Sequence, residues 1–92
     1  MIVRIATEGQ YELPEEFHAE LNEIDNRVVA AVEADDEAAY KASFSALLDY
    51  IRTNGSPLED TDLRESDLIV PPPDLTLAEA ENEFTGDGLL PD

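Results

Sequence analysis

Apolar residues open the chain in a short β-branched burst and then settle into helical spacing. Ile2, Val3 and Ile5, with Arg4 between them, predict a strand over residues 1–6. Thr7-Glu8-Gly9-Gln10 reads as a turn and Tyr11 to Leu13 as a short return strand, so the start predicts a β-hairpin. Pro14 suits the first position of a helix. Glu15 and Glu16 then fall in the first turn, where carboxylates favour the positive end of the helix dipole. Phe17, Leu21, Ile24, Val28 and Ala31 come next at steps of four and three, a helical stripe running to about Ala34. Asp35-Asp36 interrupts it, and either residue can cap the next helix. Tyr40, Phe44, Leu47, Leu48 and Ile51 form a second stripe. Asn54-Gly55 ends it with a pair suited to a left-handed C-terminal cap. Two such helices on so short a link predict an antiparallel helical hairpin. Ile24 and Leu47, each in the middle of its stripe, are expected to face the core.

Beyond Gly55 the pattern weakens. Residues 56–65 read as a polar, acidic connector. Asp67-Leu68-Ile69-Val70 predicts a third strand, stopped by Pro71-Pro72-Pro73, which favours an extended polyproline conformation. Thr76-Leu77-Ala78-Glu79 has the form of a capping box. It opens a short helix to about Phe84 with Leu77, Ala80 and Phe84 on one side. Thr85 to Gly88 reads as a turn, with Leu89-Leu90 folding back after it. No internal repeat is visible. The order β-β-α-α-β-α predicts an α+β fold in one domain over residues 1–92, with the helical hairpin covering one face of a small sheet.

Charge alters this picture more than composition does. Asp and Glu number 23 against 5 Lys and Arg, a formal net charge of -18 over 92 residues. The acids are spread along the whole length. Lys41 is the one lysine, beside Arg4, Arg27, Arg52 and Arg64. Such a coat keeps a folded chain hydrated in concentrated salt, where screening removes the self-repulsion. With so few cations the chain is not expected to bind nucleic acid or anionic lipid directly. With no Cys, disulfides, thiolate metal sites and cysteine nucleophiles are excluded. Without a long apolar run or signal-peptide pattern, a soluble, cytoplasmic protein is expected.

Candidate chemistry is sparse. Glu15 and His18 have the Glu-x-x-His spacing of di-iron bundles, but such a centre needs a second copy of the motif, and His18 is the one histidine. Residues 59–65 are rich in acids, yet an EF-hand loop begun at Asp60 would place Glu65 where Gly is needed and Pro71 where Glu is needed. The four glycines have turn or cap explanations, and no nucleophile–base set is visible. Neither a catalytic function, a cofactor nor a metal is expected. Pro71, Pro72 and Pro73 are the candidate partner-binding residues, as a stiff segment for an aromatic groove. The alternative, that they only stop the strand and aim the last helix, stays open. A surplus apolar face on the helical hairpin could also receive a partner helix.

Several stretches together resemble the PspAA family of PspA-associated proteins. They are Met1 to Tyr11, Leu21 to Asn26 with Val28 to Val32, Ser66 to Asp74, and Glu83 to Leu89. The resemblance spans the whole chain and contains no catalytic signature. It implies a non-catalytic partner or regulator of PspA, the coiled-coil phage-shock protein of membrane-stress responses. It also implies a cytoplasmic protein that reaches the membrane through that partner, and it leaves room for a homo-oligomer. The acidic coat on top of that pattern points to a haloarchaeal-type member. A different function class remains beside it: an acidic nucleic-acid mimic or transcriptional anti-factor, which would need its charges ordered at phosphate-like spacing on one face.

Overall fold

The computed structural model describes residues 1–59 and 65–84. The turn expected at Thr85 to Gly88, the return of Leu89-Leu90 and most of the acidic 59–65 segment lie outside these residues. The chain is α+β. Strands β1 (Ile2–Ile5), β2 (Gly9–Glu12), β3 (Ser56–Pro57) and β4 (Leu68–Val70) form one mixed sheet in the order β3-β2-β1-β4. Helices α1 (His18–Glu33) and α2 (Glu37–Asn54) lie between β2 and β3, and α3 (Leu77–Glu83) comes after β4.

β1 and β2 make the expected antiparallel hairpin, with Val3 opposite Tyr11 and Arg4 opposite Gln10. A turn closed by Glu8 N–H to the Ile5 carbonyl (3.0 Å) joins them. Gly9 takes φ 141, a value open to glycine and strained for any side chain. On the other side β1 pairs in parallel with β4, Val3 beside Leu68 and Ile5 beside Val70. The predicted third strand thus exists, one residue shorter than expected. Asp67 is committed elsewhere: its carboxylate accepts the Ile2 N–H at 2.7 Å, and its own N–H donates to the Ile2 carbonyl at 2.7 Å. Alternation puts Leu68 and Val70 inside and leaves Ile69 outward at 62% exposure, beside Arg4.

One strand has no signal in the sequence. Ser56-Pro57, expected as part of a polar connector, pairs with Glu12 and Tyr11 at the sheet edge. Gly55 explains how α2 enters it. The left-handed cap expected there is absent: Gly55 is extended, φ -88 and ψ 156. It is needed for space, since a Cβ would sit 2.6 Å from the Ile51 carbonyl oxygen and 3.0 Å from the Tyr11 Cβ. Gly55→Ala is therefore expected to cost about 1–3 kcal/mol by overpacking the α2–β3 corner. Chemical denaturation reads it directly, and an unchanged midpoint would show that the corner relaxes freely.

The helices keep to their stripes. A 3-10 turn, Glu15–Phe17, precedes α1, so the helix proper begins four residues after Pro14. Leu21, Ile24, Val28, Ala31 and Val32 are buried along α1, and Tyr40, Phe44, Leu47, Leu48 and Ile51 along α2. The three-residue link resolves which aspartate does what. Asp35 takes a left-handed φ of 54, while Asp36 caps α2 by accepting the Ala39 N–H at 3.1 Å. The pair is antiparallel: the Tyr50 hydroxyl near the end of α2 donates to Glu20 near the start of α1 at 2.9 Å, and its ring meets Phe17 edge-on. Helical side chains and the inward residues of the sheet, Val3, Ile5, Leu68 and Val70, share one hydrophobic core. α3 opens on a complete capping box: Thr76 Oγ1 accepts the Glu79 N–H at 3.2 Å and Glu79 accepts the Thr76 N–H at 3.1 Å. The bonds from the Thr76 backbone and then its hydroxyl hold the Glu79 carboxyl below its ordinary value. Ala80 and Phe84 close the core on that side.

Candidate partner-binding groove

Helical spacing sends Glu37, Lys41, Ser45, Leu48 and Arg52 along one side of α2, and Tyr40 and Phe44 beneath them. Opposite this side runs the segment from Pro73 to Leu77. Between the two lies a groove of about 500 Å³. Tyr40 fixes the opposing wall, since its hydroxyl donates to the Leu75 carbonyl at 2.7 Å across 35 residues of sequence. Its ring stacks on Phe44 (centroids 5.6 Å), and Phe44 in turn meets Phe84 edge-on at 5.8 Å. Burial, helped by the charge of Glu79, pushes the Tyr40 hydroxyl up to about 12, so it remains a neutral donor at any physiological pH.

The three prolines separate by depth. Pro71 is buried, Pro72 is half-buried and Pro73 is exposed on the groove wall. The run does not continue as an extended polyproline segment. The Leu75 N–H donates to the Pro72 carbonyl at 3.0 Å, which folds residues 72–75 into a turn. Pro73 occupies the second turn position, where its fixed φ fits. Pro71 comes directly after Val70, whose carbonyl makes the last ladder bond with the Ala6 N–H at 2.9 Å. Of the candidate residues, Pro73 is the one most open to a partner. Lys41, Ser45 and Leu48, which share the groove with it, carry no motif that sequence reasoning could single out. Their signal is the helical register of exposed and apolar positions on α2.

Both cations along the groove have acidic neighbours. Lys41 lies 3.5 Å from Glu37. Arg52 donates through Nε to Glu8 at 2.8 Å and through Nη2 to the other oxygen of the same carboxylate, with Asp49 at 3.3 Å from Nη1. Thr76 serves the cap of α3. An arrangement of this kind offers shape and local charge to a contacting surface. His18 is exposed at the start of α1, one helix away from the groove residues. Among the described residues no group of three or more His, Asp or Glu side chains could hold a metal ion. None of the described helices is long and apolar enough to cross a membrane.

The Arg52–Glu8 pair pins the β1–β2 turn to the end of α2 and has a pH signature. Hydrogen bonding from Arg52 holds the Glu8 carboxyl below its ordinary value of 4.5. A carboxylate whose value is depressed in the folded state contributes stability above its unfolded value. That contribution fades as pH falls through the folded one. In molar salt, with general repulsion screened, stability should decline below pH 4.5, and Glu8→Gln should flatten part of that decline. An acid limb identical in the variant and the wild type would show that the pair contributes nothing, as many surface pairs do.

Comparison with known proteins places the chain. The model of the PspAA family, described as PspA-associated protein, matches residues 1–92. No curated protein matches the chain, and no solved structure does. The matched span takes in β1 and its hairpin, both long helices, and the Pro71–Pro73 corner that walls the groove. With the family model covering every residue, this α+β chain belongs to the PspAA family of PspA-associated proteins.

Proposed function

We propose that the chain is a non-catalytic interaction module that binds a PspA-type coiled-coil protein and tunes its assembly at the inner face of the membrane. The observation that carries this reading is the family match over the full chain. The groove supports it as a surface suited to contact, with the Tyr40 and Thr76 hydroxyls bound internally and the half-buried Leu75 and Leu77 on its wall. In this reading the chain is cytoplasmic and meets the membrane through its partner, since a surface with a net charge of -18 is repelled by anionic lipid. The acidic coat itself is read as adaptation to a saline interior.

Pro72 and Pro73 are the contact candidates that the fold leaves accessible. A turn held at both ends, by the β4 ladder and by the Thr76 cap, has little entropy left to lose on binding. Replacing both with Ala is expected to weaken association with PspA more than it weakens folding. Titration of the purified variant against PspA in molar KCl, beside its thermal melt, separates the two effects. Normal binding with a lowered melting temperature would assign these prolines to architecture alone.

A further inference from the structure

We infer that the groove between α2 and the Pro73–Leu77 segment receives an amphipathic helical segment of the PspA-type partner, apolar stripe inward and Lys/Arg residues flanking it. This deepens the proposed function and rests on it. From Glu37 to Arg52 the α2 wall runs about 22 Å at 1.5 Å per residue, room for about four turns of a second helix. Leu75 and Leu77, both half-buried, give one apolar slope and the exposed Pro73 one end, while Phe44 and Leu48, each 4% exposed, lie beneath as the packed base; the result is a shallow trough whose apolar edge can meet residues at i, i+3, i+4 and i+7.

Charge selects the occupant. Each rim cation has acidic neighbours within the chain, Lys41 the exposed Glu37 at 3.5 Å, and Arg52 both Glu8 and Asp49, so acids outnumber cations there. Asp74 on the wall and Glu79, whose charge acts on Tyr40, are left to set the sign of the local field. They stand on a chain carrying -18 overall. An acidic segment, an anionic lipid surface or a second copy of this chain would each bring like charge to the rim. A basic-flanked helix brings opposite charge, which steers its approach and fixes its register.

Ser45 makes the site testable. It sits midway along the α2 wall, exposed, and its side chain makes no hydrogen bond among the described residues, so a larger residue there fills the groove and removes no core contact. Full-length PspA is titrated calorimetrically in molar KCl against the wild type, Ser45→Trp, Asp74→Lys and, as a control on exposed α1, Ala30→Trp. Thermal melts establish that each variant is folded, and Ser45→Gln serves as the mild variant at the same position. Expected are a loss of about tenfold or more in affinity for Ser45→Trp, a smaller loss for Asp74→Lys that grows as salt is lowered, and wild-type binding for Ala30→Trp and Ser45→Gln. Wild-type affinity in Ser45→Trp would overturn the groove as the site and leave the partner assignment standing. Unaltered binding by Asp74→Lys at low salt would overturn the basic-flanked occupant. Absence of binding by the wild type would remove both readings. A dimer of the wild type in sedimentation equilibrium that Ser45→Trp dissociates would assign the groove to a second copy instead.

Discussion

Leu47→Ala is expected to lower the unfolding free energy by about 2–5 kcal/mol, a large share of the stability of a domain this size. Leu47 is 1% exposed, mid-way along α2, and belongs to the core that joins both helices to the sheet. Its truncation removes apolar contact and leaves a cavity that well-packed neighbours fill only in part. Ile24 on α1 is buried in the same core at 8% exposure, and Ile24→Ala should fall in the same range, toward its lower end. The measurement is a urea or guanidinium transition in molar salt. An unaltered midpoint for Leu47→Ala would mean that this side of α2 is not core, and the groove would then be drawn on the wrong face of the helix.

Salt should matter nearly as much. The chain measures 38 Å along its longest axis. In 0.01 M salt the screening length is about 30 Å, so acids across most of the molecule repel one another; at 1 M it is about 3 Å and only direct neighbours interact. A formal charge of -18 then destabilises the compact state in dilute buffer and ceases to do so in molar KCl. Each kcal/mol of repulsion relieved raises the melting temperature of a domain this size by about 4–8 °C. Salt also weakens the Arg52–Glu8 and Lys41–Glu37 pairs, but exposed pairs contribute at most about 1 kcal/mol each, so the repulsive term dominates. A melting temperature equal in dilute buffer and in molar KCl would contradict the reading of the acidic coat as a saline adaptation.

Much of the fold is legible in the sequence because its signals are local. The β-branched start gives β1, the spacing of Phe17 to Ala31 and of Tyr40 to Ile51 gives the two helices, and Thr76 with Glu79 gives the cap of α3. The hidden features depend on residues far apart in sequence. Ser56-Pro57 has neither alternation nor apolar character, and becomes a strand only because β2 lies beside it. Gly55 suits a left-handed cap by type, yet its place is decided by the Ile51 carbonyl and Tyr11 crowding its Cα. The proline run looks uniform, and only the turn to Leu75 and the burial of Pro71 divide it into a buried residue, a half-buried one and an exposed one. The groove is of the same kind. Tyr40 and Phe44 announce an apolar helix face, but nothing near them in the chain announces that Leu75 will fold back to meet it.

The placement of the acids bears on function. A nucleic-acid mimic needs carboxylates ordered on one face. The described acids lie on the β1–β2 turn, β2, the 3-10 turn, α1, the α1–α2 link, α2, the stretch between β3 and β4, the Asp74 turn and α3, and some are committed to internal bonds, as Glu8, Asp36, Asp67 and Glu79 are. That distribution favours a coat over a mimic.

Isothermal titration of purified full-length PspA into the purified wild-type chain in molar KCl tests the proposed direct association. High salt removes nonspecific attraction between an acidic chain and any basic surface, so the binding that survives depends on fitted contact. A saturable isotherm with a defined stoichiometry is expected under these conditions. Heats that match dilution alone in molar salt, with both proteins shown to be folded, would contradict it.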